Sequence, residues 1–299
     1  MSQPEKFASP FQIWMLAARP KTLPAAASGV VTGTALAIHD GYFQFFPALA
    51  ALLVALLLQI GSNLANDVYD YEHGADAGER FGPLRVTQAG LLTPDKVKTG
   101  MWVVFSLSIL LGLYLFFKAG WVVILIGLAA ILSAIAYTGG PFPLGYYGLG
   151  DLFVFIFFGV AAVSGTYFVQ AGSVGAGALW MSIPIGWLIV DILVVNNLRD
   201  IEADRATGKR TMAVRLGERW TRIEYGILLV GSYLILPVLV AYHVLPLMSL
   251  LAWLSIPIGW RTWKVVRKQS GRSLNEALAG TGQVTLVFSL LFFVGMLLS

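Results

Sequence analysis

The chain has 299 residues, 57% of them hydrophobic and 12% charged, with a mean hydropathy of +0.75. A soluble domain of this size carries about 25% charged residues, so a water-soluble fold is excluded and a polytopic membrane protein is expected. The lack of cysteine removes disulfides, thiol chemistry and Cys-ligated metals.

Up to Met15 the chain carries Glu5 and Lys6, and Arg19-Pro20-Lys21 follows where a small-residue cleavage site would stand, so no cleaved leader is expected. Continuous apolar runs then predict nine transmembrane helices, at about 22–40, 47–66, 100–118, 121–138, 151–170, 177–198, 225–242, 245–263 and 279–298. None alternates as a barrel strand does, so the fold class is all-α, a single domain over residues 1–299. Two polar stretches, about 71–99 and 199–224, are longer than the other connections and are expected to cap one face as loops.

The net charge of +4 gains meaning from where the cations lie. With nine spans, Lys6, Arg19 and Lys21 share a side with Arg80, Arg85, Lys96 and Lys98. The runs Arg199–Arg222 and Arg261–Arg272 fall there too, and Lys118 stands alone opposite. Basic residues favour the cytoplasmic side, which puts the N-terminus inside and the protein in the cytoplasmic (plasma) membrane. Anionic headgroups explain a basic face in general terms, and Arg261–Arg272 is read that way; an anionic substrate is the sharper reading elsewhere.

Two acidic segments close the second and sixth runs, on that same side. The first is Asn66-Asp67-Val68-Tyr69-Asp70, with Asp76 beyond Gly74; the second is Asn196-Asn197-Leu198-Arg199-Asp200, with Asp204 four residues on. At about 100° per residue, Asn196, Asp200 and Asp204 lie within roughly 80° of one helix face, and Asn63, Asn66, Asp67 and Asp70 within about 100°. Carboxylates cost roughly 2.5 to 3.5 kcal/mol at a membrane helix centre, and the C-terminal end of a helix disfavours negative charge. Five of them in one mouth need cations between them. Oxygen donors without Cys or His suit Mg²⁺, usually held together with substrate phosphates, and Arg80, Arg85, Lys209 and Arg210 can neutralise a diphosphate. A solvated pair of helix ends is the plainer alternative.

Those paired motifs resemble the UbiA superfamily of intramembrane prenyltransferases, over almost the whole chain. Arg19-Pro20-Lys21-Thr22-Leu23, Gly82-Pro83-Leu84-Arg85, Tyr137-Thr138-Gly139-Gly140-Pro141 and Asn196-Asn197-Leu198-Arg199-Asp200 are similar to its menaquinone branch, which acts on 1,4-dihydroxy-2-naphthoate. The resemblance implies nine helices around a central cavity. It also implies Mg²⁺ on Asn66, Asp70, Asp76, Asn196, Asp200 and Asp204, and a polyprenyl diphosphate as donor substrate. The ring would be prenylated with loss of carbon dioxide and diphosphate, giving demethylmenaquinol. Asp70, Asp200, Asp67 and Tyr137 are the expected catalytic residues. Other acceptors (4-hydroxybenzoate, homogentisate) share the aspartate motifs, and a divalent-cation or isoprenoid transporter is the rival from another class.

Further residues have two readings each. Arg19 and Lys21 either anchor the first span in lipid or pair with an acceptor carboxylate or the diphosphate. Tyr137 either packs or meets the substrate, and Asp151 either caps the fifth span or orients the acceptor. Asp191 is turned about 180° from Asp200 and is expected to contact a neighbouring helix. His39, His73 and His243 have no ligand spacing.

Overall fold

The computed structural model describes residues 9–74, 81, 82 and 84–299, and within them every regular element is helical. A short surface helix α1 (Pro10–Ala18) precedes α2 (Leu23–His39), α3 (Phe45–Glu72), α4 (Pro94–Ala119) and α5 (Val122–Ala136). Next comes one 22-residue rod, Gly150–Ala171, made of α6 (Gly150–Val154), a π-helical stretch Phe155–Ala161 and α7 (Ala162–Ala171). The long α8 (Ala176–Arg199) is followed by two short helices, α9 (Ile201–Ala206) and α10 (Met212–Leu216), and by α11 (Glu218–Ala241). A 3₁₀ segment, Leu247–Ser255, leads into α12 (Ile256–Lys268), and α13 (Leu274–Leu297) closes the chain.

Each of the nine apolar runs coincides with helix. Six of the rods are long and apolar enough to cross a bilayer: α3, α4, the Gly150–Ala171 rod, α8, α11 and Gly271–Leu297. The other three are short for the purpose, since α2 has 17 residues, α5 has 15, and the eighth run is split between a 3₁₀ segment and the 13-residue α12. The apolar surface that such a chain exposes needs lipid around it, and the protein is an integral membrane protein.

Two boundaries differ from expectation for local reasons. Helix α3 continues to Glu72, past the apolar run that ends near Asn66, so the first acidic motif is helical along its length. Its polar side chains are satisfied by other elements, which removes the reason to stop. The second cap, expected as loop, is largely helical: Thr211 caps α10 by accepting from the Val214 amide at 3.4 Å, and Gly217 separates α10 from α11.

Of three apolar clusters among the described residues, two are large and the third is only Ala50, Leu115 and Val169. One large core joins α2, α7, α8, α11 and α13 around Tyr225, Phe288 and Phe292; the other joins α1, α3 and α4 around Leu64, Met101 and Phe105. Helix α2 belongs to the first core and also packs on α3, and its contact with α7 is backbone-close. A methyl group on Gly29 would lie 2.6 Å from Ala162 Cβ, and one on Gly33 would lie 2.4 Å from the Val163 carbonyl oxygen. Small residues four apart give membrane helices this approach, in place of the hydrophobic drive that lipid withholds. Between the cores a cavity of about 1640 Å³ opens, with α2, α3, α4, α5, the Gly150–Ala171 rod, α8 and α13 around it.

Candidate active site

The acidic motifs meet at one end of this cavity. Asn66 and Asp70 stand one turn apart on α3, and Asn196, Asp200 and Asp204 follow the end of α8 into α9; all five line the cavity, as do Asn197 and Arg199. Helix α8 breaks at Asp200, whose backbone (φ −99°, ψ 9°) leaves the helical region. That break turns the second half of the motif across the cavity mouth.

Asp70 is buried and gathers three donors from three parts of the chain. Arg85 makes a close ion pair with Oδ2, while Lys209 Nζ lies 3.0 Å from Oδ1 and the Tyr146 hydroxyl donates to Oδ1 at 2.7 Å. Arg85 also donates to the Asn66 carbonyl at 2.6 Å, and the Thr138 hydroxyl donates to Asn66 Oδ1 at 3.1 Å. Lys209 sits over the Tyr146 ring at 4.6 Å from its centroid. A lysine from the second cap thus closes on a carboxylate of the first motif.

The reverse strap exists too. Arg199 grips Asp200 with both tines, Nε to Oδ1 at 2.9 Å and Nη2 to Oδ2 at 2.6 Å. The same guanidinium donates to Asn196 Oδ1 at 2.8 Å and to Asn275 Oδ1 at 2.9 Å on α13. Asn275 in turn donates to the Phe81 carbonyl at 2.7 Å, in the first cap. A planar five-donor group fits this; a lysine ammonium would not.

Asp67 has a different role from the one expected of it. Fully buried and away from the cavity lining, it accepts the amides of Val86 at 3.1 Å and Thr87 at 3.0 Å, with Arg19 Nη2 at 3.7 Å. It therefore pins the segment that carries Arg85. Asp67→Ala is expected to loosen that segment, losing two charge-assisted bonds worth roughly 3 kcal/mol together. Hydrogen exchange at Val86 and Thr87 should rise at least tenfold, and unchanged protection there would remove the anchoring role.

The remaining expected residues divide cleanly. Arg19, Lys21, Arg85, Tyr137 and Lys209 line the cavity. Arg19 holds a left-handed backbone (φ 50°) unusual for a non-glycine residue, at the end of α1. Lys21 is exposed and makes no hydrogen bond or ion pair among the described residues. The Arg210 side chain is exposed and outside the lining; only its backbone takes part, donating to the Tyr146 carbonyl at 2.8 Å. Asp151 is also outside the lining, its oxygens buried without a hydrogen-bond partner. Asp76 and Arg80 lie outside the described residues. Asp191, expected to make a polar contact with a neighbouring helix, is fully buried with neither oxygen hydrogen-bonded. The charged groups acting on it, Glu224 and Asp151, are both acidic and have no proton donor to offer when ionised.

Sequence reasoning missed Tyr146, gave Asn63 and Thr138 no role of their own, and missed the part Arg199 takes. Tyr146 follows a Gly-Gly-Pro turn with no periodicity to mark it. Asn63 donates to the Ala18 carbonyl and to Thr22 Oγ1, both at 2.9 Å, and so ties α1 to α3 behind the site. Arg199 was visible as a cation within an acidic motif on an apolar helix, a position that requires a buried partner.

Among the described residues no three acidic or imidazole groups converge tightly enough to hold a metal by themselves. The donor set nevertheless fits Mg²⁺. It consists of hard oxygens from two facing motifs, one or two carboxylates each, and Mg²⁺ is commonly completed by substrate phosphate and water rather than by an all-protein cage.

The UbiA prenyltransferase family matches residues 26–291. The chain belongs to that family. Relatives named 1,4-dihydroxy-2-naphthoate octaprenyltransferase are 38% identical in Escherichia coli strain K12 over 96% of both chains. The Mycobacterium tuberculosis protein of that name is 40% identical over 94% of this chain and 95% of its own. Among solved structures, a UbiA homologue from Archaeoglobus fulgidus described as bound to DMAPP and Mg²⁺ superposes with a TM-score of 0.70 over 96% of this chain and 99% of that one. At 14% identity that likeness speaks for the fold of this UbiA-family chain.

Proposed function

We propose that this UbiA-family prenyltransferase moves a polyprenyl group from its diphosphate onto 1,4-dihydroxy-2-naphthoate, releasing carbon dioxide and diphosphate. In this reading all nine helical runs cross the plasma membrane, with the N-terminus and the site facing the cytoplasm. One observation carries it. Two acidic motifs and the cations Arg85 and Lys209 close on each other at the polar end of a long apolar cavity, in a chain 38–40% identical to relatives named for that naphthoate.

Asn66, Asp70, Asn196, Asp200 and Asp204 would hold Mg²⁺ with the diphosphate, joined by Asp76. When bound, the ion supplies positive charge to the diphosphate as it leaves. Arg85 and Lys209, both at Asp70, would turn onto phosphate oxygens, and Tyr146 would hold the carboxylate they leave. As the allylic C–O bond breaks, its electron pair stays with the diphosphate. The ring carbon bearing the carboxylate then forms the new C–C bond. Loss of carbon dioxide returns the pair of the old C–C bond to the ring and restores aromaticity. Phe153, Phe157, Phe158 and Phe168 line the apolar part of the cavity and keep water from the developing cation. The π-helical turn at Phe155–Ala161 places two of them, a distortion frequent at functional sites.

Purified protein offered each acceptor with a polyprenyl diphosphate and Mg²⁺ tests the reading. Product from the naphthoate is expected, and turnover of 4-hydroxybenzoate in its place would overturn the acceptor assignment. Lys21, exposed and unpaired at the cavity, is assigned to the acceptor carboxylate. Lys21→Ala is expected to raise the acceptor KM by roughly 10-fold with kcat little changed, and a constant KM would return Lys21 to lipid anchoring.

A further inference from the structure

A second concavity lies on the outside of the bundle, between α11 and α12, with a volume of about 990 Å³. Its walls change character along their length. Ile223, Ile227, Val230 and Leu234 form an apolar strip on α11, and Trp263 faces them from α12. At the motif end of the strip stand Arg219, Arg222 and Arg267, with Glu218.

The arginines are not equivalent. Arg222 is committed: it pairs with Glu218 and donates to the Gln269 carbonyl at 2.7 Å and to the Val266 carbonyl, fastening α11 to the end of α12. Arg219 is exposed and has no hydrogen bond or ion pair among the described residues; Arg267, also exposed, lies over the Trp263 ring at 5.7 Å. Once Glu218 is balanced by Arg222, two positive charges remain at the head of an apolar slot. Gly226 lets the slot form, since a methyl group there would come within 3.0 Å of the Trp263 ring.

The lengths agree with a bilayer. Ile223 to Leu234 is twelve residues, or about 16 Å of helix rise over eleven steps, close to the roughly 15 Å hydrocarbon depth of one leaflet. Trp220, 59% exposed beside Arg219, marks the headgroup level as an interfacial tryptophan does.

We propose that this groove is a specific site for one anionic glycerophospholipid, its phosphate between Arg219 and Arg267 and one acyl chain along Ile223–Leu234. A zwitterionic lipid brings its own cation next to two arginines and is disfavoured. Nothing in this proposal depends on the prenyl-transfer reading.

The test uses the full chain reconstituted in phosphatidylcholine vesicles with or without phosphatidylglycerol, then extracted in mild detergent and weighed by native mass spectrometry. One phosphatidylglycerol per chain is expected to be retained in preference to phosphatidylcholine. The double variant Arg219→Gln, Arg267→Gln should retain it roughly 30-fold more weakly. Ile227→Trp, which fills the slot and keeps both arginines, should also release it. Arg261→Gln, exposed and outside the groove, should retain it as before. Equal retention of the two lipids, undiminished retention in the double variant, or displacement of the lipid by inorganic phosphate alone would overturn the site.

Discussion

Asp70→Ala is expected to abolish prenyl transfer, lowering kcat/KM by at least about 1000-fold, or roughly 4 kcal/mol of transition-state stabilisation. Asp70 is where both caps attach to the first motif: Arg85 and Lys209 both rest on it, and Tyr146 donates to it. Its removal takes away a proposed metal ligand and leaves two cations facing each other without their counter-charge. Breaking a buried ion pair from one side costs about 3 to 5 kcal/mol, so loss of activity in the alanine variant has to be separated from loss of fold. Asp70→Asn makes that separation. It keeps the shape and an oxygen for Tyr146 and Lys209, and removes the charge and the acceptor that faces Arg85. Activity should fall about as far as in the alanine variant, while the detergent-solubilised protein elutes as wild type on gel filtration. A near wild-type rate in Asp70→Asn would sink the assignment of Asp70 to the reacting diphosphate.

How much of this was open to sequence reading depends on the range of the interaction. The nine apolar runs are local and strong, and each is helical in the structure. The acids and amides at 66, 70, 196, 200 and 204, which line one end of the cavity, were singled out because carboxylates at the ends of apolar helices are too costly to be incidental. The pairings were not foreseen. Lys209 meets Asp70 across 139 residues, and Asn275 reaches Phe81 across 194, so neither contact leaves a trace in local spacing. Asp67 shows the same limit from the other side. It belongs to the acidic motif by sequence, but one residue's step along α3 turns it about 100° away from Asn66, onto the amides of Val86 and Thr87. The second cap misled for a different reason: its polar composition hid two short helices whose stability comes from packing and capping, not from an apolar stripe.

Replacing Arg199 should show that the two halves of the site act as one unit. Its guanidinium is the only group joining Asp200, Asn196 and Asn275 in the described residues, and through Asn275 it reaches the first cap. Arg199→Lys preserves the charge and gives up the fork. If Arg199 only neutralised Asp200, that change would be nearly silent. The geometry predicts otherwise, because an ammonium cannot serve a bidentate carboxylate and two amide oxygens that point from different helices. At least one buried oxygen loses its donor, at about 1 to 3 kcal/mol. A loss of roughly 100-fold in kcat/KM is expected, with a lower midpoint of thermal unfolding. Adding Asn275→Ala to Arg199→Lys should cost less than the sum of the two single changes, by about 0.5 to 3 kcal/mol, because both act on one strap. Strict additivity would mean that the caps are held independently, and the picture of two motifs cross-tied over a single diphosphate would fail with it.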